Sequence, residues 1–185
     1  MIVSVDKLLN EKIAGKVIVF PTDTVYGIGC LLSDEKSVEK IYAIKKRDAD
    51  KPLAVLCGNL EDAKRLSKHY PAFERYAKAY WPGALTLVVK KTSLVPDFVT
   101  KGLDTVGLRI PNDPIARQIL NHFGPMAVTS LNYSNEPAIL KFDAVKKFIN
   151  QVDFVVDGGN LKEMSSTVYD VENAKTLRQG SIVIS

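Results

Sequence analysis

The chain has 185 residues, 46% of them hydrophobic and 25% charged, with a net charge of +4. That length suits one domain spanning residues 1–185, with a core that buries most apolar side chains, and the composition is that of an ordinary globular protein rather than a disordered or membrane-spanning one. The mild positive excess is compatible with an anionic ligand such as a nucleotide or RNA without requiring one.

Met1-Ile-Val-Ser-Val-Asp6 lacks the basic start and long apolar stretch of a signal peptide, and no apolar run is long enough for a membrane span. Cys30 and Cys57 are the two thiols, and neither has metal-ligand spacing. A cytoplasmic protein with reduced cysteines, no membrane partner and no protein-bound metal site is the expectation.

In chain order, the first strand signal is Val17 to Phe20. It runs into Pro21-Thr-Asp-Thr-Val-Tyr-Gly-Ile-Gly29, which sets two threonine hydroxyls, a carboxylate and two glycines where a buried strand should surface. In open α/β sheets ligands bind at such strand ends, although the segment reads equally as a turn-rich hairpin loop. Ser33 or Asp34 can cap a helix whose Val38, Ile41 and Tyr42 share one face and whose C-terminal end carries Lys45.

Strand signals follow at Leu53 to Cys57, Leu85 to Lys90, Thr105 to Ile110, Ala127 to Ser130, Phe154 to Val156, Ser166 to Val171 and Ser181 to Ile184. Between them, Pro71 suits the first turn of a helix burying Phe73, Tyr76 and Tyr80. Asp113-Pro114 caps a helix with Ile115, Ile119 and Leu120, and Asp143 opens another. Alternating strands and helices predict an α/β fold. No helix is expected after Asp157, so part of the sheet should be antiparallel.

Several segments could carry chemistry. Lys45-Lys46-Arg47-Asp48-Ala49-Asp50-Lys51-Pro52 joins a helix to a strand and could line a polyphosphate pocket, Arg as a planar fork and Lys as a point charge. The macrodipole also favours cations at a helix C-terminus, so Lys45 and Lys46 have a structural alternative. Arg109, alone between apolar strand residues, either snorkels to water or meets a carboxylate from the protein or from a ligand. Thr129-Ser130-Leu131-Asn132, Ser165-Ser166-Thr167 and Leu177-Arg178-Gln179-Gly180 add hydroxyls, an amide and a further cation near strand ends. There is no phosphate-binding glycine loop ending in Lys-Ser/Thr and no Gly-x-Gly-x-x-Gly, and His69 and His122 lie in helical patterns.

Taken in order, these segments resemble the YrdC/Sua5 family, the threonylcarbamoyl-AMP synthases. Pro21 to Gly29, Ile41 to Arg47 with Lys51 to Leu53, Trp81-Pro-Gly-Ala-Leu-Thr-Leu87, Val106-Gly-Leu-Arg-Ile-Pro111, Thr129 to Asn132, Ser166 to Val168 and Leu177 to Gly180 carry the resemblance across nearly the whole chain. The chain departs from the family pattern at Lys46 and Asp48, where many members carry Gly and Pro, at Lys51, where they carry Asn, and at Leu56, where some longer members carry His.

The resemblance implies a twisted, mixed parallel and antiparallel sheet flanked by helices, with a concave basic face, in the short single-domain form. It implies that L-threonine, bicarbonate and ATP give threonylcarbamoyl-adenylate and pyrophosphate, for N6-threonylcarbamoylation of adenosine 37 in tRNA, reached directly or through downstream modification proteins. Magnesium is implied to accompany the ATP phosphates. Lys45 and Arg47 would be catalytic. Thr24, Arg109 and Ser166 would contact threonine. Lys45, Arg47, Lys51, Thr105, Ser130, Asn132, Ala138 and Arg178 would contact ATP.

Two other readings remain open. A double-stranded RNA or tRNA-binding module without catalysis would show strongly salt-dependent binding. A related carbamoyl-adenylate activity, as in the YrdC-like parts of hydrogenase-maturation proteins, would use carbamoyl phosphate in place of threonine.

Overall fold

Short polar side chains set most helix starts. In the computed structural model of the protein, which describes residues 1–162 and 164–184, Ser4 caps α1 (Val5–Leu9) by accepting from Lys7 N, and Asp34 caps α2 (Glu35–Lys45) by accepting from Ser37 N. Asn59 does the same for α3 (Leu60–Leu66), and Asp113 for α6 (Pro114–Phe123), which has proline in its first turn. α4 (Tyr70–Tyr80) starts without a side-chain cap but with Pro71 in its first turn. His69 therefore stands just outside that helix, while His122 lies within α6; both are exposed. The short α5 (Asp97–Thr100) and α7 (Phe142–Val145) follow, Asp143 being the second residue of α7.

The strands are β1 (Ile2–Val3), β2 (Ile18–Phe20), β3 (Gly27–Leu31), β4 (Ala54–Leu56), β5 (Leu85–Lys90), β6 (Thr105–Arg109), β7 (Met126–Ser130), β8 (Phe154–Val156), β9 (Thr167–Asp170) and β10 (Lys175–Arg178). They form one sheet in the order β1-β8-β2-β3-β7-β4-β6-β5-β9-β10. The pairs β1–β8, β2–β8, β4–β6 and β5–β9 are parallel, and the other neighbours are antiparallel. The mixed sheet expected from the helix-free stretch after Asp157 is present.

Because side chains alternate along a strand, each face has its own set. On one face Val19, Ile28, Val55, Leu87, Leu108 and Ala127 are buried with Val38 and Ile41 of α2, Ala63 and Leu66 of α3, and Phe73 and Ala77 of α4. On the other, Ile18, Phe20, Leu56, Met126, Val128 and Phe154 pack with Leu8 of α1 and Ala116, Ile119 and Leu120 of α6. The side chains of this second group stop at β7 and the end of β4. Further across the same face, Gly107, Thr86, Val88, Val168 and Asp170 border a cavity. No helix among the described residues is long and apolar enough to cross a membrane.

Two differences from the sequence reading have physical causes. Ser181 to Ile184, expected as a strand, forms none. Its place beside β9 is taken by Lys175–Arg178, and the segment is tied instead by Thr167 Oγ1 donating to the Ile182 carbonyl at 2.6 Å. Residues of β10 are all exposed, so no apolar period marked it as a strand. Conversely, Gly27 to Gly29, the end of the presumed loop, belongs to strand β3. A Cβ at Gly29 would lie 2.8 Å from Val128 Cγ2 and 2.9 Å from the Ala127 carbonyl oxygen, so the close β3–β7 approach requires glycine there.

Candidate functional site

The uncovered half of the second face is a cavity of about 440 Å³, within the usual size of a small-ligand site. The strand register places its floor: Ala54 of β4, Gly107 of β6 and Val88 of β5 lie nearly level, and Asp170 of β9 continues the row. The next row holds Leu56, Arg109, Thr86 and Val168. Thr22, Thr24, Ser130 and Ser166 add hydroxyls, and Arg47, Arg109 and Arg178 add the cations.

Arg109 is buried yet fully oriented. Nε donates to the Gly83 carbonyl at 2.9 Å, Nη1 to Thr24 Oγ1 at 2.9 Å, and Nη2 to Asp23 Oδ1 at 2.5 Å. Burial pushes its pKa below the usual arginine range, and the Asp23 carboxylate opposes that shift. Of its five N–H groups, two are left for a ligand. The threonines form a directed relay. Thr22 donates its hydroxyl proton to the Val25 carbonyl at 2.7 Å, so across the 3.0 Å Thr22–Thr24 contact it is Thr24 that donates. Thr24 also accepts from Arg109, and it therefore offers a ligand a lone pair rather than a proton.

The opposite wall rests on Ser166. Its hydroxyl lies 2.8 Å from Thr86 Oγ1, and Arg178 clamps it with Nε and Nη2 donating to the Ser166 carbonyl at 3.0 and 2.8 Å and Nη2 donating to Oγ at 3.1 Å. Arg47 follows the last residues of α2. Its Nη2 donates to the Pro52 carbonyl at 2.9 Å and its Nε to the Lys51 carbonyl at 3.3 Å, and it lies beside the Tyr42 ring, with the Lys101 ammonium 4.0 Å from the centroid of the same ring.

The remaining residues expected at the site divide between the cavity wall and positions off it. Thr105 lines it; Lys45, Lys51, Asn132 and Ala138 do not. Lys45 is almost wholly buried, and its ammonium donates to the Ser130 carbonyl and, at 2.9 Å each, to the Asn132 carbonyl and Oδ1. Burial, with the nearby Arg47 charge, pushes its pKa down to about 8. Asn132 is linked onward to the cavity wall, since Ser130 Oγ donates to its Oδ1 at 2.7 Å. Lys51 is exposed and paired with Asp48 at 2.5 Å.

Asp23 and Thr86 lie in segments the sequence pointed to but were given no role of their own. The signal for Asp23 was present: a lone buried arginine needs an acceptor. Thr86 was the one hydroxyl in the otherwise apolar start of β5. Among the described residues no group of three His, Cys, Asp or Glu side chains converges as a metal site.

A mixed sheet whose open face carries arginines and hydroxyls from separate strands defines a cleft for a polar, anionic ligand. The comparisons agree in kind. The profile of the Sua5/YciO/YrdC family, described as "Telomere recombination", matches residues 13–180, and the chain belongs to that family. A threonylcarbamoyl-AMP synthase of Pyrococcus abyssi is 38% identical over 161 residues, 85% of this chain and 47% of that protein. A putative threonylcarbamoyl-AMP synthase of Methanocaldococcus jannaschii is 33% identical over 96% of this chain and 86% of its own length.

The crystal structure of P. abyssi Sua5 complexed with L-threonine superposes with a TM-score of 0.91 at 33% identity, over 97% of this chain and 57% of that one. E. coli YciO superposes at 0.85 with 28% identity, over 96% of this chain and 89% of that one. The chain thus spans about half the length of the P. abyssi relative and most of the other two.

Proposed function

We propose that the chain forms L-threonylcarbamoyl-AMP from L-threonine, bicarbonate and ATP, with release of pyrophosphate, as a nucleotidyltransferase that serves tRNA modification in the cytoplasm from one domain over residues 1–185. The observation that carries this reading is the convergence of Arg47, Arg109 and Arg178 with Thr24, Ser130 and Ser166 on one cavity. The similarity to relatives named as synthases, and to a Sua5 structure holding L-threonine, supports it.

The chemistry explains why cations matter most. The amine of threonine and bicarbonate give a carbamate and water, and the carbamate oxygen attacks the α-phosphate of ATP while pyrophosphate leaves. Two anions must meet, so neutralisation and alignment replace a protein nucleophile. Arg109 and Thr24 hold the amino acid, with Ser166 reaching it from the opposite wall. Arg47 and Arg178 face the phosphates, Ser130 and the Thr105 edge border the nucleotide, and Lys51, outside the cavity, reaches ATP only by leaving Asp48.

Lys45 contributes by fixing Ser130 and Asn132, and Ala138 lies on the loop that Asn132 begins. Magnesium would be held by the ATP phosphates and water rather than by a cluster of carboxylates, and would supply neutralisation of the phosphate charge. The field of the arginines forms the basic part of the concave face.

Incubation of the protein with ATP, L-threonine and bicarbonate, read as pyrophosphate and adenylate formed, tests the reading. Release that requires threonine is expected. No release, together with salt-dependent retention of double-stranded RNA, favours a binding module instead. Release supported by carbamoyl phosphate in place of threonine points to the related carbamoyl-transfer reaction.

A further inference from the structure

The arginines of the cavity differ in one respect. Arg109 has a carboxylate partner, Asp23, and the two side chains are only 6% and 14% exposed. Arg47 and Arg178 have, among the described residues, only neutral acceptors: the Lys51 and Pro52 carbonyls for the first, and the Ser166 carbonyl and hydroxyl for the second. The Arg47 charge acts on Arg178, and the Arg178 charge on Arg109, so the three share one field. The carboxylate on the wall itself, Asp170, accepts from Asn173 and pairs in register with Lys175 across β9 and β10. The cavity therefore holds two cations with no carboxylate among the described residues in direct contact, Arg47 having only the field of the exposed Asp48, and one neutralised pair.

Charge balance sorts ligands in such a space. A polyphosphate gains most from cations that lack a counter-ion, and gains little from a guanidinium already neutralised in a poorly hydrated corner. A zwitterion has the opposite preference. Its carboxylate takes the two N–H groups Arg109 has left, and its ammonium meets the Asp23 field and the free lone pair of Thr24. Asp23 is not itself on the cavity wall and acts through Arg109.

We propose that Asp23 is a specificity-determining residue, which by neutralising Arg109 reserves that end of the cavity for a net-neutral amino-acid zwitterion and leaves polyphosphate to Arg47 and Arg178. This rests on reading the cavity as a place where ATP lies beside an amino acid. Without Asp23, phosphate groups compete for Arg109 and the two ligands obstruct one another.

Calorimetric titration with inorganic pyrophosphate, alone and against L-threonine, tests this. Wild type should bind pyrophosphate at one class of site and lose less than about twofold in threonine affinity when it is saturated. Asp23→Asn should gain a second pyrophosphate site, and pyrophosphate should now weaken threonine binding by about tenfold or more. Asp23→Glu should restore the wild-type pattern. Equal stoichiometry and equal competition in Asp23→Asn and wild type overturn the proposal. So does a loss of threonine binding in Asp23→Asn with no gain in pyrophosphate binding, which marks Asp23 as purely structural.

The Arg47→Ala/Arg178→Ala double variant, in which Asp23 is intact, gives an independent arm. It should lose pyrophosphate binding, and retained binding that displaces threonine overturns the proposal. Wild-type protein that binds no threonine sinks the functional reading instead, while the pyrophosphate stoichiometries still report on Asp23.

Discussion

Lys45 and Asn132 form a single unit, the Lys45 ammonium donating to both the Asn132 carbonyl and its Oδ1 at 2.9 Å. The third donor reaches the Ser130 carbonyl, so one cation from the end of α2 fixes the turn that follows β7. The return contact, Ser134 N donating to the Lys45 carbonyl at 2.8 Å, closes the link from the other side. A motif read as catalytic is thus built into the wall that carries Ser130.

Replacing Lys45 with Met should destabilise the protein by about 1–3 kcal/mol, because three oxygens each lose a donor in a buried place. The pH dependence has a definite sign. Folding lowers the Lys45 pKa from 10.5 to about 8, so between those values the unfolded chain holds more protons and stability from this group rises with pH. The stability gap between wild type and Lys45→Met should therefore widen in urea melts from pH 8 to pH 10. A gap that narrows over that range refutes the assignment.

Arg47→Ala should lower adenylate formation by about 10²-fold, the scale of a lost electrostatic contact to the transition state. Its side chain is only half-buried and tied to two carbonyls, so the melting temperature should barely move. Wild-type turnover in this variant removes Arg47 from the reaction.

Gly180→Ala should be severely destabilising. A Cβ there would stand 2.3 Å from the Ser165 carbonyl oxygen and 2.5 Å from Thr167 N, both backbone atoms that cannot turn aside. The expected lesion is local first: the chain after β10 shifts and Arg178 loses its hold on Ser166. Protease cleavage near β10 should rise before the global melting temperature falls. An unchanged digestion pattern argues against the close packing.

Both cysteines should be silent to an aromatic disulfide reagent in the native state and react only after denaturation. Cys30 and Cys57 are buried, and burial pushes the Cys30 thiol up to about 12 and Cys57 higher still. Rapid labelling of native protein at pH 8 contradicts this.

Much of the architecture was legible in the chain because its signals are local. Capping by Asp34 and Asp113, proline in the first turn of α4 and α6, and the apolar run Leu85 to Lys90 each report their own neighbourhood. β10 and β3 were not legible, since one is an exposed edge and the other is glycine-rich, and neither has the apolar period that marks a strand. At the candidate site the residue types were apparent, but their partners were not. Arg109 announced the need for a carboxylate, whereas its supply by Asp23 depends on how the chain around Pro21 turns back from β2. Lys45 and Arg47, two positions apart, diverge because the chain leaves the helix at Lys46 in a left-handed conformation with φ 50°.

The parallel pairing of β5 with β9 has a consequence for synthesis. Thr86 and Ser166, 80 positions apart, meet across the same wall, and Arg178 closes on it later still. A ribosome that has released β5, β6 and β7 has made the corner of the cavity around Arg109 but no clamp opposite it. A nascent chain consequently has one open wall until β9 and β10 have cleared the exit tunnel, so maturation of the pocket trails the packing of the helices by many codons.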